Sequence, residues 1–127
     1  MQVANNSTTT TTTTHIVRAY YDTWRNGIAS FDAQRLRDLL AADFVYDGPI
    51  AGRRAGPEPF LIGLGRFVDT LKSMRMLQHI QAGDESAAVY DCDLTTPTGM
   101  FRFAEFLQIH NGKIQEIKLV FDATQFR

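Results

Sequence analysis

Glu105 and Asp47 are the two side chains of this chain whose surroundings point to proton transfer. Glu105 lies between Phe103 and Leu107 in the run FRFAEFLQIHNGKIQEIKLVFD, residues 101–122, where apolar and polar residues alternate on both sides of Asn111-Gly112. Such alternation around a turn dipeptide reads as two paired strands. Two registers are open to them. A two-residue loop sets Glu105 opposite Lys118 and Phe101 opposite Asp122, scattering charge over one face. A three-residue loop, His110 to Gly112 with Gly112 in a left-handed bulge position, gathers Phe101, Phe103, Leu107 and Ile109 with Ile117, Leu119 and Phe121. The second is expected, because a slip of one residue turns that whole set to water. Glu105 then stands in the middle of an apolar face. An ionised, unpaired carboxylate is costly there, so its pKa rises or it finds a cation or hydrogen-bond donors. It serves as a pocket acid or base, unless a local irregularity of the strand or the reach of Lys118 relieves it.

Asp47 follows Phe44-Val45-Tyr46 and precedes Gly48-Pro49. It can be the base that moves a proton, or a turn residue bonding its own backbone. Tyr20 and Trp24 lie one helical turn apart and can offer a hydroxyl and an indole N–H to a ligand, or pack as core. Tyr90, Cys92 and Leu94 alternate with Asp91 and Asp93; apolar patterning puts the first set inside, whereas a bulge at Gly99 would reverse it and pair Asp91 with Glu105. Phe60, Phe103, Leu119 and Phe121 complete the expected ligand-binding lining, and Phe60, Phe67 and Phe121 are also the residues that would fill a collapsed cavity. Arg53-Arg54 either screens an anionic ligand at the rim or is simply solvated. His15, His79 and His110 have no second ligand at helical or hairpin spacing, so no metal site is readable. No glycine-rich phosphate loop or nucleophile elbow occurs, and no cofactor is expected.

These candidates must be positioned by a single domain, since 127 residues suffice for one core. Net charge is −1, which gives no field for nucleic acid or an anionic membrane. The one cysteine, Cys92, excludes an internal disulfide framework. No apolar run approaches the roughly 18 residues of a membrane span, and a cytoplasmic location is the default. Residues 1–13, with the threonine run, are expected to be a disordered low-complexity tail, and the domain to occupy residues 14–127. Thr14 is a plausible cap for a helix carrying Ile16, Val17, Tyr20, Tyr21, Trp24 and Ile28, ended by Gly27. Ser30 caps a second helix with Phe31, Leu36, Leu39 and Leu40 as its stripe. A short strand at 44–47 and a loop at 50–56 precede a third helix opened by Pro57 and weakened by Gly63 and Gly65. From Met74 the period changes to two, and residues 74–81, 87–95, 100–110 and 113–122 form an antiparallel meander. The fold class is α+β: a curved antiparallel sheet wrapped around three N-terminal helices, open at one end, where a pocket is expected.

This order of elements, with Glu105 seven residues before Gly112, the Gly112-Lys113-Ile114 turn and Phe121-Asp122 closing the last strand, resembles the nuclear transport factor 2-like superfamily, in its SnoaL-like (polyketide cyclase) and ketosteroid isomerase-like branch. The resemblance covers roughly residues 15–122. It implies a cone-shaped α+β barrel around a deep, mostly apolar pocket, with members that include isomerases, cyclases, epoxide hydrolases, dehydratases and proteins without catalysis. Asp47 matches the place of the carboxylate that shuttles the proton in ketosteroid isomerases. Glu105 falls near their protonated acid, which donates to the enolate oxygen. Their oxyanion tyrosine falls near Thr23 or Trp24, with Tyr20 one turn away. Leu119 stands where limonene-epoxide hydrolases carry an aspartate, which argues against epoxide opening. What the resemblance implies is a cofactor-independent cyclase or isomerase acting on a small apolar carbonyl or polyketide-like molecule, with a non-catalytic binding or accessory protein as the alternative. A homodimer through the outer sheet face is expected, where Phe106 and Val120 stand among Arg102, Gln108, Glu116 and Lys118.

Overall fold

The change from helical to alternating periodicity becomes, in the structure, a change from helices to one six-stranded sheet. A computed structural model describes residues 2–126, with side chains for residues 12–126. The helices are α1 (Gln2–Asp22), α2 (Ala33–Leu39) and α3 (Pro57–Thr70). The strands are β1 (Leu40–Gly48), β2 (Gly52–Ala55), β3 (Leu71–Ala82), β4 (Glu85–Thr95), β5 (Thr98–His110) and β6 (Lys113–Val120). Their spatial order is β2-β1-β6-β5-β4-β3, antiparallel throughout except for the parallel β1–β6 pair. The sheet curves without closing, and the helices cover its concave face. Between them lies a core built from Ile16, Val17, Tyr20, Tyr21 and Trp24 of α1, Leu61 and Val68 of α3, and the inward residues of β4 to β6.

The last hairpin reaches the expected facing by a different route. His110 pairs with Lys113, so the loop has two residues, and both Asn111 (φ 52°) and Gly112 (φ 76°) adopt the left-handed region that such a turn requires. The compensating slip comes at the third residue of the return strand. Ile109 pairs with Ile114 but Gln108 with Glu116, leaving Gln115 as the extra residue of a bulge. Beyond it Glu105 opposes Leu119 and Leu107 opposes Ile117, so Phe101, Phe103, Glu105, Leu107 and Ile109 all face inward. Burial of that face, which fixes the register from the bulge onward, outweighs the position at which the slip is taken.

Other boundaries differ for physical reasons. The helix begins at Gln2, so the expected tail over residues 2–13 is helical backbone, and Thr13 is buried at 1% exposure. The packed face from Ile16 to Trp24 supplies nucleation, after which each upstream threonine costs only a few tenths of a kcal/mol to add. Met1 lies outside the described residues. α1 stops at Asp22, and Ile28 sits exposed in a 3₁₀ turn. Gly27, at φ 70°, passes so close to β3 that an added Cβ would lie 2.7 Å from the Leu71 carbonyl oxygen. Asp32 rather than Ser30 caps α2, accepting the Arg35 N–H at 3.0 Å. The segment expected as a loop after Gly48 contains the edge strand β2, whose residues are all exposed and so carry no apolar signal. Among the described residues no helix is long and apolar enough to cross a membrane.

Candidate functional site

Strand alternation and helix periodicity converge on one cavity of about 450 Å³ between α1, α3 and the concave sheet. Tyr20, Trp24, Phe60, Tyr90, Phe103, Leu119 and Phe121, the residues expected to bind ligand, all line it together with Glu105. The phenylalanines do not collapse into the space but pack around it: Phe103 against Phe67, Tyr90 and Phe121, and Phe60 against Phe44 and Tyr46. A second, more open concavity lies on the outer sheet face, lined in part by Glu85, Glu116 and Lys118. Among the described residues its lining holds no buried ionisable group, whereas that of the inner cavity holds Glu105.

At the deep end of that cavity Glu105 is 2% exposed. Its two oxygens accept three hydroxyl protons: Oε2 from Tyr20 at 2.8 Å, Oε1 from Tyr21 at 2.9 Å and from Tyr90 at 3.2 Å. Two of these donors are consecutive on α1 and the third projects from β4, so the cluster staples helix to sheet. Among the described residues no cation lies within ion-pair distance of it; Lys118 faces the other side, opposite Phe106. Burial pushes the Glu105 carboxyl up to about 7, against the opposing effect of the three tyrosine hydroxyls, which favour its charged form. Burial, reinforced by the neighbouring Glu105, also raises the Tyr20, Tyr21 and Tyr90 hydroxyls well above their ordinary range, so all three are protonated donors near neutral pH. Tyr46, on β1, is pushed up to about 12 by burial first and Glu105 second. The indole Nε1 of Trp24 is buried and, among the described residues, has no acceptor.

Asp47 is not brought to this cluster. Tyr46 takes the cavity side of β1, and alternation sends Asp47 to the outer face, opposite Arg53 and Lys118. Its carboxylate is 42% exposed and lies 3.9 Å from the Arg53 guanidinium. A convergent pair of Asp47 and Glu105 is therefore corrected to a single cavity carboxyl. Asp91 faces outward as apolar patterning required, because β4 and β5 pair without a bulge at Gly99, and its carboxylate receives both Nε and Nη2 of Arg102, at 2.7 and 2.9 Å. Cys92 faces the core, where burial raises its thiol far above the ordinary range and leaves it inert. No group of three His, Cys, Asp or Glu side chains that could hold a metal occurs among the described residues.

Tyr21, Tyr46, Phe67 and Phe126 belong to the site but not to the expected set. Tyr21 is next to Tyr20, and helical spacing alone places it 100° away, yet both hydroxyls reach one carboxylate, each on its own oxygen. Its signal was the adjacency of two tyrosines on the apolar stripe.

The fold is the NTF2-like α+β cone, shared with many solved structures. A protein from Kribbella flavida DSM 17836 is 25% identical, with a TM-score of 0.78 over 88% of each chain. A candidate polyketide cyclase from Xanthomonas campestris pv. campestris superposes with a TM-score of 0.73 at 19% identity, covering 93% of this chain and 96% of that one. A candidate ketosteroid isomerase, also from Kribbella flavida DSM 17836, gives 0.70 at 22% identity, covering 89% and 79%. No curated protein matches the chain in sequence. The family model described as a SnoaL-like domain matches residues 17–117, from the apolar face of α1 to Ile117 of β6, and the chain belongs to that family.

Proposed function

We propose that the protein is a cofactor-independent acid–base enzyme acting on a small apolar carbonyl compound, with Glu105 as the group that gains and loses the proton. The observation that carries this reading is a buried carboxyl on the wall of an aromatic cavity, surrounded by hydroxyl groups and balanced near neutral pH. When Glu105 is ionised it accepts all three tyrosine protons and can act as a base. A proton leaving the α-carbon of a bound ketone passes to the carboxylate, directly or by way of the Tyr20 oxygen, whose own hydrogen moves on to Glu105. The electron pair left behind shifts to the carbonyl oxygen. The unpartnered N–H of Trp24 is a donor for that oxygen, and its desolvation cost is already met by the fold. When Glu105 is protonated its O–H donates to one tyrosine oxygen, releasing that tyrosine's hydrogen toward the cavity. Reprotonation at a different carbon gives isomerisation; attack of the enolate on a second carbonyl of the same molecule gives cyclisation.

The test is hydrogen exchange in D₂O of the α-protons of 2-tetralone, a compact apolar ketone, followed by NMR. Wild-type protein is expected to accelerate exchange with an apparent pKa near 7, and Glu105→Gln to reduce it by about a hundredfold or more, the usual worth of a general base. Binding of the ketone without accelerated exchange refutes the enzyme reading and leaves a carrier or accessory protein. That reading is favoured by one observation, that protein hydroxyls already occupy both Glu105 oxygens.

The protein is also proposed to pair through its outer sheet face. Ile80, Ala87, Phe106 and Lys118 form a row across β3, β4, β5 and β6, with Ile80 and Phe106 exposed. Light scattering at micromolar concentration is expected to give the dimer mass; a monomer mass rejects the pairing.

A further inference from the structure

The mouth of the cavity carries two arginines that the proton chemistry does not use. Arg54 on β2 pairs in register with Tyr46, a cavity residue, and so points to the cavity side. Its neighbour Arg53 turns outward, where Glu116 accepts from it at 3.1 Å and Asp47 stands at 3.9 Å. Arg66 on α3 follows Ile62 and Gly63 by four and three positions, and all three line the same opening. Both arginines are exposed, and among the described residues neither has a carboxylate within ion-pair distance. Glu105 is the only acid among the described residues of the lining, and it is buried away from the mouth. Exposed Ile50 and Ile62 continue the apolar wall out to the arginines.

We infer that the ligand of this cavity is an amphiphilic anion: a ring-containing apolar body seated against the aromatic walls, with a carboxylate or similar oxyanion held at the mouth between Arg54 and Arg66. This deepens the proposed function and rests on its premise that the cavity takes a ligand. Guanidinium forks suit the planar, bidentate recognition of a carboxylate, and two of them from separate elements fix where it lies. The anion at the mouth then orients the body, so that the opposite end of the molecule meets Glu105 and Trp24. A cationic rim also raises the local concentration of anionic ligands in a protein whose net charge is close to zero. Because the arginines are solvated, each contributes modestly, and the pair together is worth about fivefold to tenfold in affinity.

The test uses two fluorescent probes with one aromatic body, 8-anilinonaphthalene-1-sulfonate and the neutral N-phenyl-1-naphthylamine, titrated into wild type, the double variant Arg54→Gln/Arg66→Gln, and Gly63→Phe. Gly63 lines the cavity and a Cβ built on it meets nothing within 4 Å, so phenylalanine there fills the opening. The double variant is expected to lower the affinity for the sulfonate relative to the neutral dye about fivefold to tenfold, and to leave the neutral dye within about twofold. Gly63→Phe is expected to weaken both. An unchanged ratio in the double variant, with neutral dye still bound and still displaced by Gly63→Phe, overturns the anionic ligand and leaves the cavity reading intact. Failure of wild type to bind the neutral dye, or indifference of both dyes to Gly63→Phe, overturns the cavity reading itself.

Discussion

Glu105 and Asp91 are carboxylates on neighbouring strands of one sheet, three residues apart in register, and they face opposite sides of it. Asp91 lies at the outer surface beneath the exposed Arg102 guanidinium, which donates two hydrogen bonds to it and lowers its pKa. Glu105 has three hydrogen bonds, one more than Asp91, yet its pKa rises to about 7. The number of hydrogen bonds therefore does not decide the direction. What decides it is whether the partner brings a compensating charge and whether the pair stays in solvent, since desolvation of an uncompensated carboxylate outweighs three neutral donors. One face of the sheet thus holds ordinary ion pairs, and the other holds a group able to exchange protons at neutral pH.

The largest expected effect comes from removing the inner carboxyl altogether. Glu105→Ala leaves three buried hydroxyls without their acceptor, at about 1 to 3 kcal/mol each before any repacking. A loss of about 4 kcal/mol is expected in urea denaturation, and with it the link between α1 and β4–β5. Glu105→Gln keeps an acceptor for two tyrosines and a donor for the third. It is expected to match or exceed wild-type stability near pH 7, so a loss as large as that of alanine would mean that the cluster holds an ionised carboxylate.

Next in size is the pH dependence. The folded pKa of about 7 lies above the ordinary 4.5. Below 4.5 both folded and unfolded chains keep the proton, and the stability linked to this group is fully present. Between 4.5 and 7 the unfolded chain releases the proton while the folded chain retains it, so stability falls as pH rises. Above 7 the loss is complete, at about 3 kcal/mol on the scale of 1.4 kcal/mol per pKa unit. Urea titrations at pH 5 and pH 8 should show this decline in wild type and not in Glu105→Gln. Carboxyl titration by NMR gives the pKa directly, and a value near 4.5 would put Glu105 among ordinary carboxylates and erase the contrast with Asp91.

The two faces were not equally legible in the sequence. Alternation gave the inner face reliably, because a slip of one residue would turn Phe101, Phe103, Leu107 and Ile109 to water. It therefore exposed Glu105 as the misfit and, through the helical spacing of Tyr20 and Trp24, the opposite wall of the cavity. The outer face and its edge left weaker marks. β2 has only exposed residues, and the choice between Asp47 facing in or out depended on the parity of β1, which its neighbours Phe44 and Tyr46 settle only when both are seen to be inside. The bulge at Gln115 has no composition of its own; it follows from packing and can be read only once the partner strand is in place. The source of the Glu105 donors was hidden for the same reason. Tyr21 and Tyr90 are 84 and 15 residues from Glu105, and long-range closure brings them to it.

The smallest effect belongs to the outer face and sharpens the contrast by its absence. Asp91 and Arg102 form a bidentate pair, which is the geometry most favourable to an ion pair, but the arginine side chain is 67% exposed. Water already solvates both ions before folding, the long side chain loses rotamer freedom on pairing, and salt screens what remains. Asp91→Asn is therefore expected to leave the thermal midpoint at pH 7 unchanged within measurement error, in 0.5 M as in 0.05 M salt on the order of laboratory buffers. The lowered pKa of Asp91 predicts that any contribution is present above its ordinary value of 3.8 and disappears as pH falls below it, the reverse of the trend for Glu105. A salt-sensitive drop of several degrees in Asp91→Asn at pH 7 would show that the outer face is desolvated in solution. Because Arg102 and Asp91 lie beside Ala104 and Phe106 on that face, the same result would support pairing of two copies across it.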